Sequence, residues 1–399
     1  MYPFPRERLH FPPTLKFSRL MSNNPKDEVF IAKTLTGLED VLREELLKLG
    51  ARDLEPMTRA VKFKGDLGFL YKANLCLGTA ARILRPIKYI EARSPEELLE
   101  GVQKIPWERW FHPDKTFAVY ASGSHPAFSH TGYAALVVKD GIVDRFRIKT
   151  GKRPSVDREN AMVRIELHLN KRHCTISLDA SGESLHKRGY RQEMTLAPMS
   201  EVLANGLIRL TGYRGDRPLY DPMCGSGTLA IEAAIIADRL PAGIYRKSFG
   251  FMHWMDYDAE LHALIEAASL KRISESPMPI FASDIDRHAL GVAESNAVSA
   301  LVDERISFSL EAFENTRPPA ERGMLLLNPP YGRRLEVDVE ETFSRIGAHL
   351  REHYKGWTAW VVVPSAKANK ALQMKAKQRI PFQNGDLECM WQEFDIFPS

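Results

Sequence analysis

The 399-residue sequence has no run approaching the ~18–20 uncharged apolar residues that a membrane-spanning helix needs. Its most apolar stretch, around Leu229–Ala237, carries Glu232 and ends at Asp238, the pattern of a buried helix. Cysteine is scarce. Cys76, Cys174, Cys224 and Cys389 lie far apart with no CxxC pair, which excludes a disulfide framework and a zinc knuckle and suits a reducing cytoplasm. His186, His253 and His288 share no metal-ligand spacing, so no metal is expected. Excess charge is also small, +4, too little by itself to imply nucleic acid. No secretory leader is expected: Met1–Leu20 holds three Arg, one Lys, several Pro and no clear apolar h-region. Residues 1–26 are expected to be a disordered arm, or to reflect an upstream start codon with Met21 as the true start.

What is present is an ordinary globular composition, 44% apolar and 27% charged, long enough for two or three domains. Val29–Lys33 reads as a strand. Thr36 followed by Glu39 fits a capping box for a helix carrying Leu38, Leu42, Leu46 and Leu49, stopped by Gly50. Strand Ala60–Phe63, helix Leu67–Ala81 and strand Arg82–Ile90 complete a small α+β unit of ferredoxin-like type over 27–90. Over 91–182 the pattern predicts helix Pro95–Val102 capped by Ser94, strand Lys115–Ala121 and helix Thr131–Phe146. Strands Ala161–Leu169 and Cys174–Leu178 follow, joined at Asn170.

The stretch Lys139–Arg191 holds 13 Lys and Arg against 7 Asp and Glu, an excess of six that exceeds the whole chain's +4. A charge run is ordinarily a solvated face. Here Lys139, Lys152 with Arg153, and Lys187, Arg188 and Arg191 sit among glycines and an aromatic, a combination suited to phosphate contact and base stacking in structured RNA.

From 183 to 399 the sequence reads as an α/β, doubly wound Rossmann-like domain. A short strand, Arg217–Asp221, runs into Pro222-Met-Cys-Gly-Ser-Gly-Thr228 and then an apolar helix. Glycines in a tight strand-to-helix turn let a ligand approach the backbone and the helix N-terminus. The turn lacks both GxGxxG and the Walker lysine, so phosphate is disfavoured. Asp221 just ahead of it suits a cationic amino group, such as the methionine end of S-adenosylmethionine, with Pro222, Cys224, Gly225, Ser226, Gly227 and Thr228 beside it. A second strand, Pro279–Ser283, ends at Asp284 and Asp286, where an acid can accept both ribose hydroxyls. Capping the next helix is the competing role, more so for Asp286. Asp221 and Asp284 are 63 residues apart, far more than a compact unit needs, which an insertion over 240–277 explains. Cys224 could suggest a nucleophile, but it lies on the cofactor side and reads as small-residue packing.

Strand Met324–Leu327 runs directly into Asn328, Pro329, Pro330 and Tyr331. The two prolines end the strand and lock the backbone. The Asn328 amide and the Pro329 carbonyl offer two acceptors for the hydrogens of a base –NH2 group, freeing its lone pair to attack a methyl group in line. Tyr331 offers a stacking surface for a base drawn out of its helix. Further on, Thr358–Val363 reads as a strand, Ala366–Met374 as a helix, and Phe382–Met390 with Trp391–Ile396 as an antiparallel edge pair.

Asp221–Thr228 and Asn328–Tyr331 together resemble the paired motifs of amino-methylating nucleic-acid methyltransferases. With Lys139–Phe146, Arg153–Asp157 and Leu185–Arg191 added, the chain is similar to the THUMP-containing bacterial 23S ribosomal RNA guanine-N2 methyltransferases over almost its whole length. The resemblance implies a ferredoxin-like piece, a THUMP domain that binds RNA and a class I catalytic domain. It also implies S-adenosylmethionine as cofactor, and 23S rRNA or a ribosomal precursor as partner. Where that family has an acid near the adenine, this chain has Glu311-Ala312-Phe313, so either Glu311 from a shifted position, or Phe313 and backbone, holds the ring. A transfer-RNA guanine-N2 enzyme shares the THUMP domain, and a DNA adenine-N6 enzyme shares Asn-Pro-Pro-Tyr but leaves the basic first half without a task. A non-catalytic ribosome-assembly factor is opposed by the intact Asn328–Tyr331. Nothing in the sequence specifies an oligomer.

Overall fold

The computed structural model describes residues 27–191, 199–331 and 338–397. The arm expected over 1–26, with Met21, lies outside the described residues.

The first half forms one seven-stranded sheet. Its elements are β1 (Glu28–Lys33), α1 (Glu39–Leu49), β2 (Arg52–Met57), β3 (Ala60–Gly65), α2 (Leu67–Cys76), β4 (Arg82–Glu91), α3 (Pro95–Gln103), β5 (Phe117–Ser124), α4 (Thr131–Thr150), β6 (Val163–Asn170) and β7 (His173–Asp179). Strand order is β2-β3-β1-β4-β7-β6-β5, with β5 and β6 parallel and the other pairs antiparallel. The long strand β4 pairs with β1 on one side and β7 on the other, so the two N-terminal units share a continuous sheet and a single apolar core.

Local expectations change in places, helix α2 among them, which stops at Cys76 rather than Ala81. Strand β2 had no reading in the sequence, because Arg52–Met57 is a solvated edge strand without apolar alternation. The capping box at Thr36 does not form. Helix α1 starts after Leu38, which makes no side-chain cap, and Glu39 accepts instead from the Gly37 N–H (2.7 Å) and the Arg59 N–H (3.0 Å).

The second sheet is built from β8 (Leu219–Asp221), β9 (Ile280–Asp284), β10 (Ile306–Leu310), β11 (Met324–Leu327), β12 (Thr358–Val363), β13 (Gln378–Asn384) and β14 (Leu387–Asp395). Helices α5 (Glu201–Leu210), α6 (Thr228–Ala237), α7 (Ala259–Leu270), α8 (Arg287–Ser299), α9 (Val339–His353) and α10 (Ala366–Ala371) accompany it. The order β10-β9-β8-β11-β12-β14-β13 is parallel through β12 and closes with two antiparallel strands. The closing turn lies near Gly385, whose φ of 61° favours glycine, five residues earlier than the sequence suggests. Strands are added outward to one side of β8 through β10 and to its other side from β11 on, so the strand order reverses between β8 and β11 while the strands stay parallel. In open α/β sheets the crevice at the carboxyl ends of such strands is where ligands bind.

The insertion over 240–277 fastens the halves together. Phe249, Phe251 and Trp254 enter the core of the first sheet, with Phe251 stacked on Tyr71 at 4.4 Å and the Gly243 N–H bonded to the Leu75 carbonyl at 2.7 Å. Arg85 pairs with Glu28 and Asp256 while lying against the Trp110 and Trp254 rings (4.9 and 5.5 Å). Aromatic stacking and a desolvated cation–π contact contribute about 0.5–2 kcal/mol each beyond area burial.

Arg188 is part of this same junction, and this overturns its expected role in RNA contact. It is 1% exposed, pairs with the fully buried Glu232 and donates to the Gly78 and Leu185 carbonyls. Glu232 is completed by Asn205 (2.7 Å) and Tyr190 (3.1 Å). A guanidinium so enclosed cannot meet a phosphate, and removing it would leave a buried carboxylate uncompensated.

Candidate active site

Parallel pairing of Leu325 with Tyr220 brings the end of β11 beside the end of β8, so Asp221 and Asn328 emerge from neighbouring strands into one crevice. That crevice is a cavity of about 1650 Å³. Small-molecule sites usually occupy ~300–1,000 Å³, so there is space for more than one bound group.

Asp221 is 1% exposed, and neither carboxylate oxygen makes a well-formed hydrogen bond. Burial, and then the nearby Asp284 carboxylate, push its pKa up to about 8, against a smaller opposing pull from the Met223 and Ala230 amides. A carboxyl buried this way without a well-formed hydrogen bond is costly unless a cation arrives to meet it.

The turn after Asp221 is shaped by two glycines. Gly225 has φ 53° and open space where a Cβ would stand, and Gly227 has φ 80° and lies 3.0 Å, measured to a built Cβ, from Ala293 of α8. The first leaves the backbone open to a ligand, and the second lets α6 pack closely. Asp284 accepts from the Gly225 N–H (2.8 Å) and the Asp286 N–H (2.9 Å), which uses two of a carboxylate's roughly four acceptor positions. Asp286 caps α8 by accepting from the His288 N–H at 2.9 Å, though it also lines the cavity.

Arg191 needs correcting as well. Its guanidinium bonds to Glu201 (2.8 Å), Ser226 (3.2 Å), Thr228 (2.9 Å) and the Met199 carbonyl (3.2 Å). It braces the glycine turn against the start of α5 and is not presented to RNA. Cys224 is buried, and desolvation with the nearby Asp221 and Asp284 charges pushes its thiol well above its ordinary pKa. A thiol held protonated is no nucleophile at neutral pH, which agrees with the packing role.

Across the cavity, Asn328 has a buried side-chain oxygen with no partner, and Pro329 is buried behind it. Tyr331 is half-buried, and its hydroxyl accepts from the Asn384 side chain at 2.8 Å. Phe313 lines the cavity whereas Glu311 does not, so of the two expected candidates only the ring faces the site. Several contributors were not foreseen, three of them at the rim and the strand ends. Ile285, 74% exposed between Asp284 and Asp286, is an apolar side chain at the strand end. The other two are the β13–β14 turn, Gln383–Leu387, and the N-terminal residues Leu35, Thr36 and Arg59.

Among the basic residues proposed for RNA, Lys152 and Arg153 are exposed just after α4. Lys187 is exposed and paired with Glu183, and Lys139 is partly covered and paired with Asp140. Among the described residues, no group of three or more His, Cys, Asp or Glu could hold a metal, and no helix is long and apolar enough to cross a membrane.

Residues 188–393 match the family described as UPF0020, the RMKL-like methyltransferase domain; 92–179 match the THUMP domain and 29–84 the RlmL ferredoxin-like domain. The chain belongs to the RMKL-like methyltransferases. A putative RNA methyltransferase of Synechocystis sp. is 34% identical over 371 residues, covering 92% of this chain and 97% of that one. The crystal structure of SMU.472, a putative methyltransferase complexed with SAH, superposes with a TM-score of 0.83 at 27% identity, covering 94% and 99% of the two chains. A predicted N6-adenine-specific DNA methylase from Listeria monocytogenes superposes with a TM-score of 0.82 at 29% identity, covering 94% and 97%. In this methyltransferase, the family match spans the sheet, the glycine turn and the Asn-Pro-Pro-Tyr strand end described above.

Proposed function

We propose that this methyltransferase uses S-adenosylmethionine to methylate the exocyclic N2 of a guanine in 23S rRNA. The observation that carries this reading is the pair of orphaned buried groups, the Asp221 carboxyl and the Asn328 side-chain oxygen, facing one cavity from adjacent strand ends.

The residues present fit the cofactor. Asp221 would meet its ammonium group, the Gly225–Gly227 turn would lie along its methionine part, Asp284 would take the ribose hydroxyls, and Ile285 and Phe313 would flank the adenine. When bound, the cofactor supplies an electrophilic methyl group. Asn328 accepts one hydrogen of the target –NH2 and the Pro329 carbonyl the other, so the nitrogen lone pair turns out of conjugation toward the methyl. Tyr331, fixed by Asn384, holds the base in place. The nitrogen then carries one proton too many and releases it to solvent. Such differential binding of the reacting geometry lowers the barrier without a dedicated base.

RNA as substrate is supported by the THUMP domain and by the exposed Lys152 and Arg153. Reversing both charges should weaken RNA binding about tenfold or more and lower the slope of log K against log salt by about one per residue. A filter-binding salt series that leaves the slope unchanged removes these two from the interface.

The function is tested by incubating the purified chain and labelled S-adenosylmethionine with deproteinised 23S rRNA, 16S rRNA, tRNA or duplex DNA, then digesting to nucleosides. Label in N2-methylguanosine from 23S rRNA is expected. Label confined to tRNA, or recovered as N6-methyldeoxyadenosine from DNA, overturns the assignment.

A further inference from the structure

We infer that Arg59, a residue of the N-terminal ferredoxin-like unit, contacts the RNA backbone at the mouth of the active site and helps position the substrate. The inference rests on the RNA-methylation reading above and extends it to the domain farthest from the chemistry in sequence.

Arg59 and Arg345 are the only Lys or Arg among the described residues lining the cavity. Arg345 is occupied, pairing with Glu314 and, more distantly, with Glu341. The Arg59 guanidinium has no hydrogen bond or ion pair among the described residues, and the residue is exposed. The other charged groups of the lining are acidic: Asp284, Asp286 and Asp386 are unpaired with any cation among the described residues, Glu314 is taken up by Arg345, and Asp221 is buried and mostly protonated until a cation binds. A polyanion entering such a crevice meets net repulsion unless a free cation offsets it, and Arg59 is placed to do so.

Its placement is rigid. Arg59 forms the β2–β3 turn with φ 57°, a conformation an arginine rarely adopts, and backbone bonds on both sides maintain it. Its N–H donates to Glu39 at 3.0 Å, and its carbonyl accepts from the Thr34 N–H at 2.9 Å. The neighbouring Thr34–Leu38 loop is seated on the catalytic domain. Leu38 packs so tightly over Gly206 of α5 that a Cβ there would fall 2.4 Å from it, and Gly37 lies against the Pro381 carbonyl of β13. The turn therefore cannot drift from the crevice without unseating the loop. A guanidinium carried on a fixed backbone and left without an internal partner is suited to a phosphate, which it can grip through two parallel hydrogen bonds.

The test uses the full chain with S-adenosylmethionine and deproteinised 23S rRNA. Arg59→Gln should raise the KM for RNA about tenfold and lower the salt slope of RNA binding by about one, while the calorimetric Kd for S-adenosylmethionine stays within twofold. Arg59→Lys should recover the salt slope and part of the KM. Because the guanidinium makes no hydrogen bond or ion pair among the described residues, Tm should be unchanged, which separates this effect from misfolding. If wild type methylates RNA and Arg59→Gln matches it in KM and salt slope, the role of Arg59 is wrong and the function stands. If wild type methylates no RNA, both fail.

Discussion

Replacing Asn328 with alanine is expected to reduce methyl transfer by at least about a hundredfold while leaving the affinity for S-adenosylmethionine within a few-fold. Losing one polar group aimed at the reacting atoms typically costs 10²–10³ in rate. The side-chain oxygen of Asn328 has no structural duty to obscure the result, since it is buried without a partner. Tyr331 and Pro329 would still define the pocket, so the loss should fall on kcat more than on KM, the sign of an interaction made chiefly in the transition state. Single-turnover kinetics would show it. A variant retaining full activity rules out the proposed hold on the amino group.

The second large effect concerns Asp221. With its pKa raised to about 8 by burial and Asp284, the carboxyl is mostly protonated at pH 7 in the cofactor-free protein. An ammonium group binds the ionised form, so cofactor affinity should fall about tenfold for each pH unit below 8, until the carboxyl pKa of the bound state is reached. The cofactor's own amino group titrates near this range, so the profile is read as a difference from Asp221→Asn, which keeps only the ligand's contribution. Asp221→Ala should weaken binding by about 2–5 kcal/mol, roughly thirtyfold to a few thousandfold in Kd. The stability of the cofactor-free protein should carry the opposite sign. An acid whose folded pKa is raised contributes stability that is full below about pH 4 and is lost as pH rises to about 8. Relative to Asp221→Asn, wild-type Tm should therefore fall over that interval, and added cofactor should restore it. Calorimetry showing a pH-independent affinity difference between the two proteins contradicts the pairing.

The site is legible in sequence where a local rule fixes the backbone. Gly225 and Gly227 sit at positive φ directly after a strand, and two prolines end β11 at Asn328, so motif and geometry coincide within a few residues. Cations were less legible, because their role depends on partners distant in sequence. Arg188 is enclosed by Glu232 and the Gly78 carbonyl, and Arg191 by Glu201, Ser226 and Thr228, and no spacing signals either pairing. Strand β2 was hidden by its solvated edge position. The 240–277 insertion was legible as extra length, but the docking of Phe251 on Tyr71 and of Trp254 on Arg85 was not. Arg59 offered no signal at all, because its approach to the crevice depends on how two domains pack.

The central claim is the modification itself. Nucleosides from 23S rRNA, 16S rRNA and tRNA of a strain lacking this gene, compared with wild type by mass spectrometry, test it most directly. One N2-methylguanosine should vanish from 23S rRNA and return when wild-type protein is supplied, but not when the Asn328→Ala variant is. An unchanged N2-methylguanosine content of 23S rRNA, with the loss appearing in tRNA or nowhere, would contradict the account.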